Sequence, residues 1–450
     1  MMLERPARAG WREWGGLALL ALPTMLLGLD VTALYLVVPS LAADLNPTAT
    51  ETLWIMDAYG FLIAGFLITM GTLGDRIGRR RLLMIGTAAF GVASVCAAFA
   101  PSALWLIAAR ALLGVAGATL MPSTLSLISD MFTDARQRAL AIGVWATMFA
   151  LGMAAGPVVG GALVAGFWWG AVFLLAVPVA ALVLAGAPVL LPEFRARACR
   201  LDLLSAGLSL AAMLPIVYAI KHVAAHGFDV QALVAVLLGG GSTVAFLRRQ
   251  LRLTTPLLDV KLFTSRAFSA ALTVLLIGLV GFGGVMFLVT QYLQLVEGLP
   301  PTAAGLWMGP PALAMLVGAI GAPLVAGRAS PGVVMAATLA LSLVGYAFLA
   351  LAGTGSTLTV VAGFAFVYLG LGVIAALGTD IVVGAAPAEK SGSAARLLRW
   401  SASRHCDTCG PSATPPLRRW PSTRGSGDSD AHHVPVRGWI AGLVLGMACR

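Results

Sequence analysis

Asp30, Asp57 and Arg110 each stand in a stretch of sequence that is otherwise apolar. An ionised side chain is costly in such surroundings, so each of the three needs a partner or a task. A carboxylate placed there can exchange a proton, attract a cationic solute or pair with the guanidinium of Arg110. The plainer alternative is an ion pair that only holds helices together, and for Asp57, near the edge of its stretch, that alternative weighs as much as the chemical one. Asp380, close to Glu389 and Lys390, reads as a solvated helix end at least as readily as a coupling site. The five histidines fall outside the predicted spans, so the cluster of His, Asp or Glu that a membrane enzyme would gather at one face is not expected.

The elements that must carry these residues follow from composition. Of 450 residues, 59% are apolar and 11% charged, and the mean hydropathy is +0.92. A soluble domain has about 45–50% apolar and about 25% charged residues, so lipid is the solvent these numbers describe. Crossing about 30 Å of hydrocarbon takes roughly 20 apolar residues in a helix. Twelve runs qualify: 17–38, 53–70, 82–100, 104–128, 139–164, 168–190, 203–220, 230–247, 268–294, 303–326, 331–352 and 357–384. The short alternating segments of a β-barrel are not visible. An all-α polytopic membrane protein is the fold class this pattern predicts.

The formal charge of +10 does not point to nucleic acid. Eight Arg and three Asp in residues 391–450 supply half of the excess. With the N-terminus cytoplasmic, eighteen Lys or Arg residues fall in segments on the inner side and only Lys221 in an outer loop. That asymmetry is the expected one for cytoplasmic loops. It also supports the span count, since a missed helix would invert every later loop. On this topology Asp30, Arg110 and Asp57 lie roughly 12, 9 and 6 Å below the outer ends of spans one, four and two.

Between spans two and three runs Gly71-Thr72-Leu73-Gly74-Asp75-Arg76-Ile77-Gly78-Arg79-Arg80-Arg81. Its three glycines permit a tight turn with close helix approach, and Asp75 can pair with a basic residue or a helix N-terminus. In span four, Arg110 is followed by Gly114 and Gly117. Span five carries Gly152, Gly156-Pro157 and Gly160-Gly161, with glycines at i, i+4 and i+8 that form a groove along one face for another helix. Generic helix packing is the plainer reading of such a stripe, and the Gly-Pro and Gly-Gly pairs weigh against it.

The Gly71–Arg81 stretch resembles the loop that marks the major facilitator superfamily, and its density and position make the likeness strong. The resemblance implies a cytoplasmic gate motif at Gly71, Gly74, Asp75, Arg76, Gly78, Arg79 and Arg80. Arg110 to Gly117 is similar to a family motif linked to proton transfer. Gly152, Gly156, Pro157, Gly160 and Gly161 look like the motif that distinguishes exporters in this superfamily. Leu29–Thr32, Trp54–Tyr59, Phe167–Trp169, Phe173–Pro178 and Pro256–Asp259, with Leu262-Phe263 before Arg266–Phe268, resemble the 14-span drug/proton antiporters, and Trp54–Leu83 those that export methyl viologen and quaternary ammonium biocides.

The likeness runs from residue 15 to about 395. It implies a major facilitator fold: a cytoplasmic N-terminus (1–14), a six-helix bundle (15–190), two linking helices (191–250) and a second bundle (251–390) with four helices, so that about 12 of 14 expected spans are present. Asp30, Asp57 and Arg110 are the expected proton and substrate coupling residues, and lipophilic cationic drugs, protons and the lipid of the cell inner membrane the expected partners, with no cofactor, metal or enzymatic activity. Residues 391–450 carry no apolar run long enough to cross. The expectation there is a basic, disordered tail that arises from a reading-frame shift near Ala395, which leaves a non-transporting remnant as the alternative function. His405, Cys406, Cys409, His432 and His433 are too loosely spaced to be expected to bind zinc.

Overall fold

The computed structural model describes residues 9–193, 202–253, 264, 266–326, 331–353 and 355–384. The proposed tail, the Pro256–Asp259 and Leu262-Phe263 motifs and Glu389-Lys390 lie outside them. Among the described residues all regular structure is helical. The first seven helices are α1 (Trp11–Leu45), α2 (Ala49–Ile77), α3 (Arg79–Ala98), α4 (Ala103–Met131), α5 (Ala135–Gly166), α6 (Ala171–Leu174) and α7 (Ala176–Leu190). A hairpin of α8 (Leu203–His226) and α9 (Val230–Arg252) follows, and then α10 (Arg266–Gln291), α11 (Pro301–Trp307), α12 (Gly309–Ala326), α13 (Pro331–Leu351) and α14 (Thr357–Gly384).

Eleven helical stretches are long and apolar enough to cross a membrane, and α2, bent by 56° between Leu67 and Thr69, makes a twelfth. The twelve predicted spans are therefore present, with two adjustments. Span six is divided at Leu175 into α6 and α7. The run 303–326 is split at Met308, because Pro310 and Pro311 cannot donate to the preceding turn.

Helix ends follow local chemistry. Asn46 adopts a left-handed conformation (φ 45°) that ends α1, and its N–H reaches the Ala42 carbonyl at 3.1 Å. Thr48 and Glu51 form a reciprocal capping box at the start of α2. Ser102, Asp134, Asp202 and Asp229 cap α4, α5, α8 and α9 through side-chain oxygens. Gly78 alone joins α2 to α3, at φ 110° and ψ 133°, which only glycine adopts without strain.

One apolar cluster, with Leu27, Leu34, Tyr59, Leu113, Trp145 and Phe173 among its members, unites α1 to α7. A second gathers Phe282, Met286, Ala304 and Phe364 of α10, α11 and α14 around Leu36 of α1. The α8–α9 hairpin packs on α2 and turns Leu233, Leu237 and Leu238 outward, as suits a helix whose solvent is lipid.

The side of the molecule that carries Gly71–Arg81 is the basic face, and the opposite side is the far face. Contacts joining α1 and α5 to α10 and α11 lie toward the far face. In the π-helical turn Tyr292–Val296 that follows α10, Gln294 donates to the Leu36 carbonyl at 3.0 Å. A Cβ placed on Gly305 would meet the Pro157 carbonyl oxygen at 2.6 Å, and one on Gly161 would collide with the Pro301 carbonyl.

Candidate functional site

Two predicted site residues meet between the middle of α1 and the first third of α4. An Arg110 Nη1 donates to Asp30 Oδ2 at 2.6 Å, with the Arg side chain 1% and the Asp side chain 10% exposed. Arg110 Nε donates to the Ile55 carbonyl at 3.1 Å, and the guanidinium lies over the Tyr59 ring, 4.5 Å from its centroid. The Phe173 ring is 5.9 Å away on another side. The pair is thus a charge couple enclosed by aromatic and aliphatic groups, in which field strength is high and water scarce.

Glycines set this geometry. A Cβ on Gly114 would lie 2.6 Å from the Tyr59 carbonyl and 2.8 Å from Leu62 Cβ, so α4 can bring Arg110 to Ile55 only where residue 114 lacks a side chain. The α5 stripe does the same for α1. A Cβ on Gly152 would overlap the Met25 carbonyl, one on Gly156 would overlap Thr32 Oγ1, and one on Gly160 would meet the Ala33 carbonyl at 2.9 Å. Gly28 of α1 answers from the other side, abutting the Phe149 carbonyl. The two backbones touch, and Thr32 Oγ1 donates to the Met153 carbonyl at 2.8 Å. Pro157, where α5 has no N–H, faces Gly305 of α11 with its carbonyl.

Asp57 does not join the pair. It forms an ion pair of 2.8 Å with Lys221 of α8 and is 43% exposed. Lys221, predicted in a loop, lies within α8 because the helix continues six residues beyond the apolar run, to His226. The predicted far-face loops therefore hold no Lys or Arg. His222, also predicted outside the spans, is buried in α8 and bonds Asp229 at 2.8 Å.

At the basic face, Asp75 pairs with Arg79, buried across the Gly78 break, whereas Arg76 is exposed. Arg80 Nη1 donates to the Leu191 carbonyl at 3.1 Å at the end of α7, where the helix dipole favours a cation. Glu193 lies 3.6 Å from Arg80 and 3.8 Å from Arg81. Gly74 allows the approach of Leu82 (3.1 Å from a built Cβ), and Gly71 sits opposite Pro122. In the sequence Ile55 and Tyr59 stand out only as members of the Trp54–Tyr59 stretch. Their contribution depends on a backbone carbonyl and a ring face, which residue type alone does not announce. Among the described residues, no group of three His, Cys, Asp or Glu is placed to hold a metal.

Comparison with known proteins shows the family of the chain. The chain is 45% identical over 389 residues to the multidrug efflux pump LfrA of Mycolicibacterium smegmatis, covering 86% of this chain and 77% of that protein. It is 35% identical over 390 residues to the methyl viologen resistance protein SmvA of Salmonella typhimurium, covering 85% and 78%. Among solved structures, a peptide transporter POT in complex with sulfate superposes with a TM-score of 0.59 at 18% identity, covering 86% of this chain and 85% of that one. The Major Facilitator Superfamily profile matches residues 20–402, and the chain belongs to that superfamily.

Proposed function

We propose that the chain exports lipophilic cationic drugs across the bacterial inner membrane in exchange for protons. The observation that carries this reading is the enclosed Asp30–Arg110 pair, a carboxylate whose counter-ion is internal. The names of the two bacterial relatives, one a multidrug pump and one a methyl viologen resistance protein, support the substrate class.

In this reading the basic loops and the N-terminus are cytoplasmic. The halves of the molecule, 15–190 and 251–390, rock about the α5–α11 contact. The Gln294–Leu36, Gly305–Pro157 and Gly161–Pro301 contacts are the far-face junctions that such a motion would open and close. Deprotonated Asp30 holds Arg110, and a proton arriving from outside neutralises the carboxylate. Arg110 then keeps the Ile55 carbonyl and the Tyr59 and Phe173 rings. Its positive charge, no longer balanced, disfavours a bound cation and drives drug release. Asp57 tunes cation recognition at the far face. Asp75 with Arg79, flanked by Arg76, steadies the basic face, and the α5 glycines keep α1 seated.

The test is accumulation of a quaternary ammonium dye in everted vesicles under an imposed proton gradient. Gradient-dependent accumulation by the wild-type chain, collapsing with an uncoupler, is the expected result. Accumulation indifferent to the gradient would remove proton coupling from the account.

A further inference from the structure

The Lys221 ammonium sits where a substrate cation would be at home. It lies 2.8 Å from Asp57 Oδ2, donates to the Leu53 carbonyl at 2.9 Å, and is 4.6 Å from the Trp54 ring centroid and 5.8 Å from that of Phe61. Carboxylate, carbonyl and two aromatic rings together make the kind of cage that receives ammonium groups. Trp54 also lines a cavity of about 580 Å³ with Leu214, Tyr218, Val234 and Leu238, an open apolar groove along α8 and α9 that shares Trp54 with the cage. Lys221 lies near the end of α8, and its long stem allows the ammonium to swing to the membrane surface.

We propose that this junction of α2, α8 and α9 is a second cation site, occupied in the resting protein by Lys221 acting as a tethered competitor. A lipophilic quaternary ammonium compound displaces the lysine, places its head between Asp57, Trp54 and Phe61, and lays its apolar part in the groove. The site stands apart from Asp30 and gives the linking hairpin a role in selecting cations with an apolar tail. The inference rests on the proposed substrate class but not on proton coupling.

The test is direct binding of radiolabelled dodecyltrimethylammonium to the full chain in lipid nanodiscs, with empty discs as background. Lys221→Met should tighten binding about tenfold, the equivalent of about 1.4 kcal/mol. Lys221→Arg should keep the wild-type affinity. The gain should vanish when Asp57→Asn or Trp54→Leu is added and survive Asp30→Asn. A gain that survives Asp57→Asn, or no gain in well-folded Lys221→Met, would overturn the proposal.

A second measurement uses the unmodified protein. The sequence has three lysines, Lys221, Lys261 and Lys390, so acylation by an amine-reactive ester is readable residue by residue in mass spectra. Saturating dodecyltrimethylammonium should raise Lys221 acylation several-fold relative to the other two. Unchanged acylation would mean the lysine is not displaced, whatever the variants do. Neither measurement depends on transport, so failure of the export reading and failure of this one are distinguishable.

Discussion

Gly156→Ala introduces one methyl group where α1 and α5 are in backbone contact. The new Cβ would overlap Thr32 Oγ1 and lie 2.9 Å from the Ala33 nitrogen and 3.0 Å from the Leu29 carbonyl oxygen. Two of these three obstacles are backbone, so the helices must separate. Overpacking of this kind costs about 1–3 kcal/mol, and separation also strains the Thr32 to Met153 hydrogen bond, worth about 1 kcal/mol. The expected loss is about 2–4 kcal/mol. Gly143, on the same helix, has nothing within 4 Å of a built Cβ. Gly143→Ala is therefore the matched control and should be neutral or slightly stabilising, as alanine favours a helix. The assay is thermal denaturation of the purified variants in nanodiscs, ranked at one heating rate because unfolding of such proteins is often irreversible. Adding Thr32→Ala should recover part of the loss, since it removes the nearest obstacle while leaving the backbone ones. Equal melting of Gly156→Ala and Gly143→Ala would refute the claim that the glycine stripe sets the α1–α5 distance.

Other consequences are equally open to measurement. Arg110→Lys keeps a positive charge but cannot reproduce both the Asp30 and Ile55 bonds in one plane over Tyr59. Loss of one hydrogen bond to a charged group, about 1.5–3 kcal/mol, corresponds to a roughly ten- to hundredfold fall in initial dye-transport rate at matched protein level. Gly78→Ala forces a Cβ into φ 110° and should lower the melting temperature by the equivalent of about 1–3 kcal/mol, read in the same nanodisc assay. Burial opposes ionisation of Asp202, but hydrogen bonds from Ser205 and Arg249 outweigh it and hold the carboxyl below its ordinary value. Its stabilising effect on the start of α8 is thus present above about pH 4 and lost as pH falls through the lower folded value. Hydrogen exchange at the start of α8 should accelerate in that acid range, and Asp202→Ala should abolish the pH dependence.

The span count and the Asp30–Arg110 pair were legible in the sequence for related reasons. Apolar runs announce spans, and an intramembrane carboxylate has few partners other than an intramembrane cation. The pairing of Asp57 was not legible. Lys221 falls just past the end of the apolar run 203–220, so hydropathy assigned it to a loop, while its aliphatic stem and the carbonyl and rings around it allow it to stay in the helix. Similarly, the Gly71–Arg81 stretch announced a tight turn, but not which arginine Asp75 would take. That choice depends on Gly78, whose positive φ brings Arg79 back to Asp75 and leaves Arg76 outside. The glycine stripe of α5 told that another helix would lie close, and only the packed chain identifies it as α1, the helix that bears Asp30.

The central claim is that Asp30 exchanges its proton against the drug, and proton release reports on it most directly. A quaternary ammonium compound added in weakly buffered solution, with a pH indicator, to the purified chain first acidified so that Asp30 carries its proton should release protons from the wild type. The same addition to Asp30→Asn should release none, while that variant still inserts and melts as a folded protein. Proton release of equal size from both proteins would contradict the account.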